Sequence, residues 1–287
     1  MNRLITAVSI GIFSQVVTAS EPRILPPTVE LSGPVATQSL LVVDADGHTV
    51  VGDRTSEAVF SSSNPAIAIV DAAGIVRAAG DGETVITATV NGKSAAARVV
   101  VARTKEPFAW SYRNHVIPVL TRVGCNSGSC HGALAGKGGF KLSLRGYDPE
   151  TDHFVMTRQA AGRRVNRSEP EQSLALLKPT RGLPHGGGRR FDTDSEEYRR
   201  LRDWIAAGAA GPQAGEPTLQ RIELFPAAAT LKPKDKLQVL VRAWYSDGHA
   251  EDVTKWAKFS STEEQVAGVD EDGHVTVQGP GEAAVTV

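Results

Sequence analysis

Two stretches of this 287-residue chain repeat one another without a gap. Residues 60–88 and 259–287 align at one fixed offset, so that Phe60 falls on Phe259, Val70-Asp71 on Val269-Asp270 and Gly74 on Gly273. Gly80, Gly82 and Glu83 fall in the same way on Gly279, Gly281 and Glu282, and upstream Asp46-Gly47-His48 finds a partner in Asp247-Gly248-His249 after a small shift. A repeat of this kind means that one supersecondary unit has been used twice. Its internal punctuation says which kind. Thr84 to Val90 is a run of branched residues suited to a pleated sheet. Ala72-Ala73-Gly74 and Glu271-Asp272-Gly273 are hairpin turns with glycine where φ turns positive. Short strands broken by turns every 8–12 residues predict a β-sandwich.

The repeat sets the boundaries. A first sandwich is expected over 24–103, a different segment over 107–212 and a second sandwich over 218–287. Polar linkers at Thr104–Pro107 and Gly211–Pro217 separate them, as domain boundaries tend to be separated. The second copy stops at the equivalent of Ala88, one strand short of the first. It is therefore read as truncated, and the chain as a piece of a longer open reading frame. Ahead of the first sandwich, Arg3, the mostly apolar Leu4–Val17 and the small residues Thr18, Ala19 and Ser20 form a secretory signal over 1–20. That run is too short and interrupted for comfortable passage through a bilayer. An exported protein, in the periplasm or at the cell surface, is expected. A net charge of −1 gives no support to nucleic-acid binding.

The middle segment changes period. Val116, Val119, Leu120 and Val123 lie on one face at helical spacing, with Pro118 as a kink or a start. Ser195 with Glu196 and Glu197 opens a second helix, and Gly208 closes it behind the stripe Tyr198, Leu201, Trp204 and Ile205. The stretch between is rich in Gly and Arg and shows little regular pattern. The chain's two cysteines follow the first helix, in Gly124-Cys125-Asn126-Ser127-Gly128-Ser129-Cys130-His131-Gly132. Three fates are open to them: a short disulfide loop, as is usual outside the cytoplasm; part of a metal site, with few ligands; or covalent attachment of haem, whose usual signal is Cys-x-x-Cys-His. The spacing here is two residues longer than that signal. No nucleophile–base–orienter motif, phosphate-cradling loop or dense carboxylate cluster points to an enzyme.

Two resemblances add to this. Ser63-Asn64-Pro65, Val70-Asp71, Gly74-Ile75-Val76, Gly82 and Ile86-Thr87-Ala88 resemble the signature of the group 2 bacterial immunoglobulin-like domain. The second copy keeps Val269-Asp270, Gly273, Val275 and Gly281. The middle segment is similar to a small c-type cytochrome domain. Its first helix runs into Cys125–His131, and Leu201 to Ala209 matches the closing helix of such domains. Pro170 to Leu174 leads, as it does there, to a Pro-x-Gly-Gly loop, here Pro184 to Gly187. The joint architecture resembles the N-terminal part of large exported bacterial proteins. The fold implied is multidomain, with two all-β immunoglobulin-like sandwiches, the second truncated, flanking a mainly α cytochrome-c-like domain.

This resemblance implies one haem c held by Cys125 and Cys130, with His131 as the proximal iron ligand. Leu183 stands where related domains carry a ligating Met, which makes His185 the distal candidate. Met156 and His153 are alternatives, although Met156 reads more simply as core, and His115 as packed or solvent-facing. The pairs Arg163-Arg164 and Arg189-Arg190 are solvated loop charge or partners of the haem propionates. The function implied is electron transfer or redox sensing with an unidentified redox partner, the sandwiches serving as spacers. The alternative is a surface adhesion protein in which the cysteines form a disulfide and the sandwiches contact cell wall, protein or carbohydrate. Fold alone does not choose between them.

Overall fold

The computed structural model describes residues 21–287; the expected signal segment lies outside the described residues. The first module contains β1 (Glu21–Leu25), β2 (Thr28–Ser32), β3 (Thr37–Ser39), β4 (Leu41–Asp46) and β5 (Thr49–Asp53). It continues with β6 (Val59–Ser62), β7 (Ala68–Val70), β8 (Ile75–Ala78), β9 (Gly82–Val90) and β10 (Lys93–Ala102). They form three sheets, β1–β4–β5, β2–β10–β9–β6 and β3–β8–β7, with β2 parallel to β10. Alternation along β9 turns Thr84, Ile86, Ala88 and Val90 inward, as the period-two pattern requires. They meet Val99 and Val101 of β10 and the inner faces of β2 and β4 through Val29, Leu31 and Val42. The expected hairpin glycine is enforced twice. Gly74 has φ 80 and Gly273 has φ 85. A Cβ at Gly74 would sit 2.9 Å from Phe60 Cζ and 3.0 Å from the Leu40 carbonyl, and at Gly273 it would sit 2.7 Å from Phe259 Cζ and 3.0 Å from the Val239 carbonyl.

After the middle segment come β11 (Leu219–Phe225), β12 (Lys236–Gln238), β13 (Leu240–Tyr245) and β14 (Ala250–Asp252). They are followed by β15 (Ser260–Ser261), β16 (Ala267–Val269), β17 (His274–Val277) and β18 (Val285–Thr286). The sheets β11–β13–β14, β12–β17–β16 and β15–β18 repeat β1–β4–β5, β3–β8–β7 and β6–β9. Where the first module has β2, the second has an irregular segment. It reaches across to the first module, with Thr230 N donating to the Val50 carbonyl at 2.8 Å.

The two modules pack directly on each other. Leu41, Val43 and Val50 of the first share a buried cluster with Leu237 and Leu240 of the second, against Leu25, Phe225 and Leu231. Equivalent residues exchange equivalent bonds across the seam. Ser39 N donates to Asp252 Oδ2 at 2.7 Å, and Gln238 N donates to Asp53 Oδ2 at 3.1 Å. Each aspartate also caps the turn behind it, Asp53 on Thr55 and Asp252 on Thr254. This is the self-complementary pattern of a two-fold pair, built here within one chain. Neither module is therefore a free bead on a string.

The regular elements of the middle segment are short helices set in long turns and irregular backbone, not a mainly α domain. A π-helical turn at Tyr112–Val116 runs straight into α1 (Ile117–Arg122), and Pro118 lies at the start of α1, where its missing N–H costs nothing. α2 (Pro149–Thr157) and α3 (Leu174–Leu177) break up the stretch expected to lack pattern. The signal for α2 is local: Asp148 caps Thr151 N at 3.1 Å ahead of Pro149 and Glu150. α4 (Glu196–Ala206) begins at Ser195, whose hydroxyl accepts from Tyr198 N, and ends where Gly208 reaches φ 101. Tyr112, Val119, Leu120, Met156, Leu176, Leu201, Trp204 and Ile205 make its core. The segment is mounted on the second sandwich. The Arg200 guanidinium lies 4.1 Å over the Trp256 ring, Arg122 pairs with Asp272 at 2.7 Å and Lys255 with Glu197 at 3.4 Å.

Candidate functional site

The cysteine loop is a tight turn springing from the end of α1. Gly124 has φ 76, which swings the chain off the helix, and Cys125 N returns to the Leu120 carbonyl at 2.8 Å. Cys130 N bonds to Ser127 O at 3.0 Å, His131 N to Cys125 O at 3.0 Å and Gly132 N to Ser127 O at 3.0 Å. The two extra residues of the spacer are thus folded into the turn, so the ends of the loop stay close. Gly132 is obligatory, since a Cβ there would lie 2.2 Å from the Asn126 carbonyl oxygen. Cys125 is buried and Cys130 partly exposed. Burial pushes the Cys125 thiol up to about 12. Cys130 Sγ accepts from Arg190 Nη2 at 3.2 Å.

Both cysteines, His131 and His185 line one cavity of about 700 Å³. That volume lies within the usual range for small-molecule and cofactor sites. Its apolar wall includes Leu120, Phe140, Met156 and Leu174, and its charged lining is Lys137, Arg163, Arg164, Lys178 and Arg190, with no carboxylate among them. The two imidazoles are set in the same way. His131 Nδ1 lies 3.0 Å from the Phe140 carbonyl and His185 Nδ1 lies 2.8 Å from the Gly188 carbonyl. A nitrogen facing a carbonyl carries the proton, which leaves each Nε2 with its lone pair free; a backbone carbonyl commonly fixes a metal-binding histidine in this way. Burial depresses the His131 pKa and so favours the neutral ring. The rings are 16° from parallel with centroids 6.3 Å apart.

The other sequence candidates divide. Met156 lines the cavity, but its sulfur accepts from the Tyr112 hydroxyl at 3.8 Å within the core. His153 is turned away, with Nε2 2.9 Å from the Ala209 carbonyl. His115 is buried at the seam with the second sandwich, taking Ser111 N on Nδ1 at 2.9 Å with Nε2 3.5 Å from Glu251. Of the arginine pairs, Arg163, Arg164 and Arg190 line the cavity, whereas Arg189 pairs with Asp192 at 2.7 Å on the surface. Solvated loop charge therefore describes Arg189 and not buried Arg164. Phe140 escaped sequence reasoning although it both faces His131 (centroids 4.5 Å) and holds its Nδ1. The signal was there in Gly138-Gly139-Phe140, a lone aromatic in a glycine turn. Among the described residues no group of three or more His, Cys, Asp or Glu could hold a metal ion. Two imidazoles alone do not cage a bare ion.

Comparison with known proteins bears on the sandwiches. Residues 52–92 match the family described as "Intimin, immunoglobulin-like domain". The middle segment lies outside that match, and the comparison shows no cytochrome-c-like domain. No curated protein matches. Among solved structures, "Structure of surface layer protein SbsC, domains 1-6" aligns with 93% of this chain and 27% of its own, at 11% identity and a TM-score of 0.19. This chain thus spans about a quarter of that protein's length. No helix among the described residues is long and apolar enough to cross a membrane. The chain is a multidomain, mostly β protein that carries an immunoglobulin-like domain.

Proposed function

We propose that the middle segment is an exported, covalent haem-binding domain for electron transfer or redox sensing, mounted on a paired immunoglobulin-like platform. The observation that carries this reading is the convergence of Cys125, Cys130, His131 and His185 on one cavity with apolar walls. Cys125 and Cys130 would hold the group covalently through thioether bonds, and His131 and His185 would ligate its iron through Nε2. The group would supply a one-electron couple, lower in potential with two histidines than with histidine and methionine. The chain's own part is orientation and exclusion of water. Phe140 O and Gly188 O fix the two ring tautomers, and Leu120, Met156 and Leu174 supply the dry wall. Expression with cytochrome c maturation machinery should give a red protein with a pyridine haemochrome spectrum and a mass raised by one haem. A colourless protein whose mass lacks two hydrogens would sink the reading.

The immunoglobulin-like match supports a second reading, that of a cell-surface interaction protein. Here the paired sandwiches do the binding and the middle segment is haem-free, its cysteines joined in a disulfide. The same haemochrome and mass measurements decide between the two, because the second reading requires the colourless, oxidised product.

A further inference from the structure

Arg164 is a buried cation without a counter-charge. It is 6% exposed, and no carboxylate among the described residues pairs with it. Its partners are backbone carbonyls: Val155 and Gln159 accept from Nη1 at 2.9 and 3.2 Å, and Gly139 accepts from Nη2 at 3.0 Å. The guanidinium also stacks 4.6 Å from the Phe140 ring centroid. These contacts satisfy donors but do not neutralise charge, and a buried charge is ordinarily paired. Arg163 stands beside it on the same cavity, its guanidinium without a hydrogen bond or ion pair among the described residues, and Lys137 adds a third cation near Gly139. The lining as a whole has cations and no carboxylate. The missing negative charge must then arrive with whatever fills the space.

We propose that the Arg163–Arg164 wall receives carboxylate groups of the bound ligand, so that the cavity selects an amphipathic carboxylate with a flat apolar body. The inference rests on the reading of this cavity as a ligand site and deepens it by naming the groups recognised at one end. The apolar body lies against Leu120, Phe140, Met156 and Leu174, and the carboxylates meet the arginines in charge-assisted hydrogen bonds. Arg164 also ties α2 to the Gly139–Phe140 turn, so its charge and the placement of His131 are linked through Phe140.

The test uses the full chain with Cys125→Ala and Cys130→Ala, purified without haem and titrated by fluorescence. The probes are metal-free protoporphyrin IX and its dimethyl ester. Neither contains iron, so histidine ligation plays no part. The diacid is expected to bind at least about ten-fold more tightly than the ester. Arg163→Gln, at an exposed position that leaves the core intact, should erase most of that preference without weakening the ester. Arg164→Gln should do the same if it folds, and the Arg163 variant and the probe pair decide the matter if it does not. Equal binding of diacid and ester overturns the proposal. So does displacement of the diacid by 50 mM inorganic phosphate, which would mark a site for small anions in general. A negative haemochrome with the diacid preference intact would refute covalent haem and leave this inference standing.

Discussion

The reciprocal aspartate clasp between the sandwiches makes the sharpest prediction. Asp252→Ala removes one carboxylate that accepts from Ser39 N at 2.7 Å and from Gln38 Nε2 at 3.4 Å across the seam. A hydrogen bond to a charged acceptor contributes roughly 1.5–3 kcal/mol. The Ser39 amide, part-buried beside the shared cluster of Leu41, Leu237 and Leu240, would be left without that acceptor. A loss of roughly 2–3 kcal/mol in the free energy that holds the seam closed corresponds to about 30- to 150-fold more frequent opening. Native-state hydrogen exchange read by mass spectrometry reports that number directly. Peptides containing Ser39 should exchange faster by this factor. Peptides containing Gln238 should accelerate alongside, although the Asp53–Gln238 bond at 3.1 Å is untouched by the substitution, because a seam with one shared apolar cluster opens as a unit. Asp53→Ala should produce the mirror result. Acceleration confined to Ser39 would refute the cooperative seam, and no acceleration at either amide would refute the clasp.

Other outcomes follow from single contacts. Trp204→Ala should cost about 3–5 kcal/mol, since the indole is wholly buried and donates to the Ala210 carbonyl at 2.9 Å; calorimetry should show the middle segment melting well before the sandwiches. Gly132→Ala drives a Cβ into the Asn126 carbonyl and displaces the cysteine loop, so under the proposed haem reading the haem content per chain should fall about 10- to 100-fold. The mount on the second sandwich should have a pH optimum. Burial alone would raise the Glu251 carboxyl, but hydrogen bonds from His115 and His249 outweigh it and hold the group well below the ordinary range. Its contribution is therefore full above the ordinary value of 4.5 and fades as pH falls through the lower folded value. His249 is raised above 6.5, first by its bond to Glu251, so its contribution is full below 6.5 and is lost as pH climbs through the raised folded value. Thermal unfolding followed by tryptophan fluorescence should be most resistant from about pH 4.5 to 6.5, and His249→Gln should remove the alkaline decline while moving the acid one to higher pH, because Glu251 loses one of the two bonds that hold it low.

Much of the fold is legible in the sequence because it depends on neighbours along the chain. Gly74 and Gly273 announce their hairpins, since a left-handed turn against an aromatic ring excludes any side chain. Ser195 and Gly208 mark the ends of α4 for equally local reasons. α2 was also legible in Asp148-Pro149-Glu150, but a weak apolar stripe hid it: Val155 and Met156 are buried while Phe154 is 57% exposed. The candidate site is legible in part. Adjacency in the chain singles out Cys125, Cys130 and His131, and the resemblance of the Pro184–Gly187 loop puts His185 ahead of His153, whereas nothing local distinguishes Arg164 from Arg189.

The sequence by itself determined that one β-rich unit is used twice, where its turns fall, and which loop carries the two thiols. Each of these follows from backbone sterics and side-chain alternation within a few residues. Only the tertiary structure decided that the two units face one another across a shared cluster, with Asp53 and Asp252 exchanging places. It alone brought His185 to 6.3 Å from His131, turned His153 into the core and buried Arg164 without an acid beside it. Those relations join residues far apart in the chain. They are set by which surfaces lose water together, and no local pattern encodes that choice.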